Sequence, residues 1–317
     1  MTKSPVVDVH VHLYPTPATA HWAVHSYEIW EYGDKPGLQF ASASGLVDDM
    51  VARIGAQDLD HGVVVNLFAR DLFRGEAIAA LRPSLAEGER EVAVQAIDGR
   101  LGEMMVEFNT WLVDAVESIP QLTPFVGVDP GVISSDANVR HLEEMASHGA
   151  RGVKIHPVLQ GFHPSDSRMA PVYRACLEAG LTVLSHSGGS RGATELAEPS
   201  AFAGVVREFP DLRLVLAHLG GSRWRQTVEF AQAFPLVNFD LSEIVQWVNA
   251  SHGPTRDELA QMILAIGPER VMLGTDYPWY DLQSTLEVLM DLPGLAEGQR
   301  QAIAGENAVR ILGLAIR

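Results

Sequence analysis

Eight short apolar runs recur along the chain, each followed by a polar or glycine-rich turn and then, in most cases, by a helical pattern. They occupy residues 6–12, 62–67, 123–129, 152–156, 181–186, 212–218, 236–241 and 270–276. In most of them Val, Ile and Leu alternate little with polar positions, which predicts parallel strands covered on both faces. Apolar residues at helical spacing predict helices over 46–59, 103–118, 138–148, 171–179, 201–209, 256–266 and 282–290. Gly149, Gly180, Pro210 and Gly267 stand just ahead of strands, where the preceding helix has to stop. This alternation predicts an α/β fold of the (β/α)₈ TIM-barrel class, as a single domain over residues 1–317. A doubly wound open sheet would carry a glycine-rich turn after its first strand. Here that strand runs into His10-Val11-His12-Leu13-Tyr14-Pro15.

Two connections exceed the usual length, and both follow strands, which puts them on the catalytic face of a barrel. Residues 13–44 carry Trp22, Tyr27, Trp30, Tyr32 and Phe40, suited to an apolar lid, a packing pad or a subunit contact. Residues 68–100 carry Arg70, Arg74 and Arg82 and a helical stretch.

A formal net charge of −17 with no basic cluster argues against nucleic-acid binding. No apolar run reaches the roughly 20 residues of a membrane span, and residues 1–5 read as no secretory leader. The single cysteine, Cys176, excludes an intrachain disulfide. A cytoplasmic enzyme of a small-molecule substrate is the expectation, with a homodimer as a further one.

The ends of the runs carry the chemistry. Of 12 histidines, His10, His12, His156, His186 and His218 fall at predicted C-terminal strand ends, and Asp276 closes the eighth. In a barrel these ends converge on one mouth. Strand alternation predicts that Asp8, His10 and His12 share a face, with the two imidazoles about 6.6 Å apart along the strand. One divalent ion spans that gap, and imidazole with carboxylate suits Zn²⁺ first and Mn²⁺ second. Lys154 and His156 also share a face and are read as binding a substrate anion; the plain alternative for Lys154 is neutralisation by a carboxylate such as Asp8. Arg223 is read as a clamp for a substrate carboxylate, or as surface charge at a helix start.

Six motifs in order resemble the amidohydrolase superfamily, in the branch that includes aminocarboxymuconate semialdehyde decarboxylase. They are Val9-His10-Val11-His12, Gly152-Val153-Lys154-Ile155-His156-Pro157, Leu184-Ser185-His186-Ser187-Gly188, Ala217-His218-Leu219-Gly220-Gly221, Gly274-Thr275-Asp276-Tyr277-Pro278 and Gly305-Glu306-Asn307-Ala308. The resemblance implies one divalent metal held by His10, His12, His186 and Asp276, with His218 and Asp276 as catalytic groups. It also raises a second metal bridged by a carboxylated Lys154, as in binuclear members; one metal is the preferred reading. Hydrolysis of an ester, lactone or amide bond in a small carboxylated substrate by metal-activated water is the leading expectation. Non-oxidative decarboxylation or hydration of an aromatic or unsaturated acid is the alternative. A metal-binding barrel without catalysis is the non-enzymatic rival.

Overall fold

A computed structural model describes residues 4–32, 40–56, 59–188 and 194–316. Eight strands follow one another in one sheet: β1 (Val7–Val11), β2 (His61–Val65), β3 (Leu122–Gly127), β4 (Gly152–Ile155), β5 (Thr182–Ser185), β6 (Leu214–Leu216), β7 (Asn238–Asp240) and β8 (Val271–Met272). Each pairs in parallel with the next. The sheet closes on itself where Val9 N donates to Leu273 O at 3.0 Å, His12 N to Tyr277 O at 2.7 Å and Asp276 N to His10 O at 3.0 Å. This is the expected eight-stranded barrel.

Twelve α-helices are described: α1 (Pro17–Tyr27), α2 (Val47–Ala56), α3 (Arg70–Ala79), α4 (Glu87–Val116), α5 (Ser135–Ser147), α6 (Ala170–Ala179), α7 (Ala203–Glu208), α8 (Thr227–Ala233), α9 (Arg256–Ile266), α10 (Leu282–Met290), α11 (Glu297–Gln301) and α12 (Asn307–Leu312). Local chemistry sets many of their ends. Ser134, Thr255 and Asp281 accept from the first-turn amides of α5, α9 and α10, which satisfies donors that a helix start leaves open. Gly180 ends α6 in the left-handed region, at φ 65°.

Two apolar layers enclose the strands. Val64, Val126, Val153, Val183 and Phe239 face outward against Leu112, Leu142, Tyr173 and Ile263 of the surrounding helices. Val9, Val63, Val65, Leu184, Val215 and Met272 form a second cluster, joined by Ile311 and Leu312 of α12. Full burial of each such side chain contributes about 1.5–3 kcal/mol. The polar site rests on this inner apolar layer.

Three expectations change in detail. The long connection after β1 is not an irregular loop but carries α1 and a π-helical turn, Glu28–Tyr32. Thr16 caps α1 by accepting from Thr19 N, and Pro17 opens its first turn. The connection after β2 is α3 and the first half of α4, so the helix expected over 103–118 begins at Glu87. The strands also stop short of their chemistry: His12, His156, His186, His218 and Asp276 all lie just past the last strand residue. His218 (φ 61°), Leu219 (φ 45°) and Asp276 (φ 65°) adopt left-handed backbone there. That conformation leaves the strand ladder and turns the side chains over the mouth.

Candidate active site

Simple alternation along β1 would place Asp8 beside His10 and His12, and the structure corrects this. The β1–β2 register slips between Asp8 and Val11, and a one-residue slip reverses which face later side chains take. Val9 therefore joins the apolar layer below, while His10 and His12 enter the mouth. Asp8 accepts from His10 N at 3.0 Å, Thr275 N at 2.9 Å and Thr275 Oγ1 at 2.5 Å. It ties β1 to the turn after β8, and burial pushes its carboxyl up to about 7.

A small cavity of about 40 Å³ lies at the mouth, lined by His10, His12, Lys154, His156, His186, His218 and Asp276 with Tyr27, Leu67, Trp279 and Glu243. Five separated stretches of sequence thus supply these expected residues. Burial lowers the proton affinity of all five imidazoles, that of His10 to about 3. Neutral imidazole is the form a metal needs. His156 and His186 stack with ring centroids 3.8 Å apart, and His156 Nδ1 accepts from Leu159 N at 3.3 Å.

His10 is oriented by β7. Its Nδ1 lies 3.1 Å from Asp240 Oδ2 and 2.9 Å from Ser242 Oγ. A carboxylate accepts only, so Nδ1 carries the proton and the Nε2 lone pair faces the cavity. Lys154 Nζ sits 2.8 Å from that Nε2. His12 Nε2 lies 3.1 Å from Asp276 Oδ1, and His10 Nε2 lies 3.5 Å from the same oxygen. Burial opposes ionisation of Asp276, but His10, His12 and His218 hold it well below the usual carboxylate range. Ligand atoms of His10, His12 and Asp276 fall within 4.8 Å of one another. Two nitrogen donors and a carboxylate at that spacing, with one lone pair already drawing an ammonium, fit a divalent metal. His186 borders the same cavity without joining that trio.

His218 is held from its other side. Its Nδ1 is 3.1 Å from Ser242 O and 2.9 Å from Ser242 Oγ, and Glu243 Oε2 lies 3.5 Å from that nitrogen. Asp240 Oδ1 accepts from His218 N and Ser242 N, each at 3.0 Å, and from Ser242 Oγ. Burial disfavours the charge on Asp240, yet His10, His218 and Ser242 hold it below the usual range. One carboxylate thus braces both His10 and His218. Asp240, Ser242 and Glu243 are absent from the sequence reading, which found no chemistry in run seven. The available signal was the polar Asp240-Leu241-Ser242-Glu243 directly after an apolar strand. Glu243 is buried and has φ 63°, a conformation rare for residues other than glycine.

Lys154 is buried, and desolvation lowers its ammonium to about 8 although Asp276 and Asp240 pull the other way. Asp8, its expected neutralising partner, is turned to Thr275 instead. Arg223 is not among the cavity's lining residues; its Nε lies 3.9 Å from Glu198 Oε2. Arg74 pairs with Asp98 at 2.6 Å, and Arg70 with Asp71 at 2.9 Å. The aromatics after β1 cover the mouth. Tyr27 meets Trp279 edge-on at 5.3 Å, Trp30 meets His156 at 5.8 Å, and Phe40 packs on Tyr280. The side chain of Tyr32 lies outside the described residues. No helix among the described residues is long and apolar enough to cross a membrane.

Comparison with known proteins gives the family and the fold. A gamma-resorcylate decarboxylase of Rhodococcus jostii is 28% identical over 123 residues, a stretch spanning 35% of this chain and 37% of that protein. The chain thus matches little more than a third of that curated relative's length. An uncharacterized TIM-barrel protein from Bordetella bronchiseptica superposes with a TM-score of 0.71 at 18% identity, over 99% of this chain and 100% of the other. A dihydroxybenzoic acid decarboxylase from Polaromonas, solved with bound manganese and 2-nitroresorcinol, superposes at 0.66 with 14% identity, over 98% and 97% of the two chains. These two share the fold. The family model for amidohydrolases matches residues 7–314, nearly the whole chain. The chain therefore belongs to the amidohydrolase family.

Proposed function

We propose that this enzyme is a metal-dependent carboxy-lyase that removes CO₂ from a small aromatic or unsaturated carboxylic acid. The observation that carries the reading is the make-up of the cavity. A buried Lys154 ammonium and candidate metal-ligating groups line it together with the apolar side chains of Trp279, Tyr27 and Leu67. A planar acid matches both. Kinship to decarboxylases in the comparisons supports it.

His10, His12 and Asp276, with His186 beside them, would hold the divalent ion, Zn²⁺ or Mn²⁺. When bound, that ion polarises substrate oxygens and offsets their negative charge. Lys154 binds and orients the carboxylate end. The aromatic walls fix the plane of the substrate and exclude water. The bond to the carboxyl carbon breaks and its electron pair stays on the ring or alkene carbon, which then needs a proton. His218, with Nδ1 tied to the Ser242 carbonyl, has Nε2 left to collect that proton from solvent and deliver it.

Hydrolysis, the first expectation from sequence, asks a nearby base to take a proton from water. Asp276, 3.1 Å from His12 Nε2, is the carboxylate placed for that role. The hydrolytic reading has a further observation in its favour, the second carboxylate of Glu243 beside His218. Turnover in ¹⁸O-labelled water of an acid found by screening separates the two. Released CO₂ with deuterium from D₂O at the vacated carbon supports the lyase. Oxygen from water in the cleaved product, without CO₂, refutes it.

A further inference from the structure

Beside the metal pocket lies a second cavity of about 470 Å³, with the exposed Arg100 and Glu107 on its rim. It is bounded by α1, the turn after β2, α3 and α4, the two insertions that sequence marks as unusually long. Its walls are almost all apolar, with Tyr14, Trp22, Phe68, Phe73, Phe108 and Trp111 prominent. Tyr27 and Leu67 line this cavity and the metal pocket alike. The two spaces therefore lie on either side of these two side chains.

Contacts among their own side chains fix the walls. Trp22 stacks on Phe73 at 4.5 Å while its indole N–H donates to Glu76 at 2.7 Å. Phe68 meets Phe73 at 5.5 Å, and Phe108 meets Trp111 at 5.4 Å. A concave space lined mainly by apolar and aromatic side chains suits a hydrophobic ligand group. With only two side chains between it and the metal pocket, the geometry points to one occupant that spans both once these side chains turn aside.

We infer that the second cavity receives an apolar arm, aryl or alkyl, of a substrate whose carboxylate is held beside Lys154. This rests on the carboxylate reading proposed above and extends it: the substrate is an acid with a bulky hydrophobic extension, larger than a bare benzoate. The arm passes between Tyr27 and Leu67, and its burial adds to affinity with each methylene.

The test is calorimetric titration of the manganese-loaded protein with ω-phenylalkanoates from phenylacetate to 6-phenylhexanoate. Each added methylene that enters the cavity strengthens binding by about fourfold, until the ring is lodged. Thr19→Trp on α1 and Met104→Trp on α4 each fill the cavity away from the metal pocket. Either is expected to weaken the longest acid by about tenfold or more and to leave phenylacetate within about twofold. A series that binds with flat affinity overturns the inference, as it would if a second copy of the chain sealed the cavity. A rising series unaffected by both variants overturns it too. If 4-phenylbutanol binds as tightly as 4-phenylbutyrate, the carboxylate reading fails while the apolar cavity stands.

Discussion

Replacing Asp240 by asparagine keeps its shape and removes its charge. Asp240 Oδ1 accepts from three donors, His218 N, Ser242 N and Ser242 Oγ. An asparagine carbonyl can keep those contacts, which leaves its NH₂ facing His10 Nδ1, where Asp240 Oδ2 now stands at 3.1 Å. That NH₂ donates, so His10 is driven to protonate at Nε2, the nitrogen facing the metal site. Loss of such a carboxylate–histidine partner weakens metal affinity by about 10- to 100-fold, or about 1.4–2.7 kcal/mol. The charge-assisted hydrogen bond itself contributes about 1.5–3 kcal/mol to the apo fold. The folded carboxyl is held below its ordinary 3.8. Its contribution is therefore fully present above about pH 4 and is lost as pH falls further. Competition against a chromophoric chelator gives metal affinity, and urea unfolding between pH 3 and 7 gives stability. D240N should lose metal affinity and show a shallower acid-side loss of stability. A D240N protein that binds Zn²⁺ and Mn²⁺ within about twofold of wild type would refute the orienting role of this contact.

Lys154→Met should raise the KM of an acid substrate by about 10- to 100-fold, the loss of a charge-assisted contact. Because the folded ammonium is lowered to about 8 from 10.5, the unfolded chain binds more protons between those values. Wild-type stability thus gains with pH across that window relative to K154M, which unfolding at pH 7.5 and 10 checks. Glu243→Gln should cut kcat by about 10- to 100-fold through His218 and leave metal content unchanged by elemental analysis; loss of metal would make Glu243 a ligand instead. Gly305→Ala would place a Cβ 2.0 Å from Pro5 O, and thermal unfolding should report a loss of about 1–3 kcal/mol or more.

Much of the architecture was legible in the chain order of its residues. Parallel strands buried on both faces are written as continuous apolar runs, and eight of them with helices between leave few closed solutions. Because barrel strand ends converge, His10, His12, Lys154, His156, His186, His218 and Asp276 could be placed together without knowing any fold contact. Strand limits were less legible, since the turns that carry His218 and Asp276 depart from β geometry while still reading as apolar run.

What tertiary structure alone decided follows from contacts between distant segments. A slip in the β1–β2 register turns Asp8 toward Thr275, and no local pattern in Val7-Asp8-Val9-His10 announces it. Asp240, Ser242 and Glu243 gain their meaning from His10 and His218, 22 to 232 positions away, so the segment that holds them looks like an ordinary strand end. Arg223 has the right chemistry for a clamp but stands outside the cavity. The insertions after β1 and β2 read as aromatic and charged loops, and only their packing as helices on the rim creates the second cavity. Sequence determines which groups a barrel brings to its mouth, because period-two strands and closure constrain that. The neighbours each group meets there depend on register and loop packing, which are set by the whole fold.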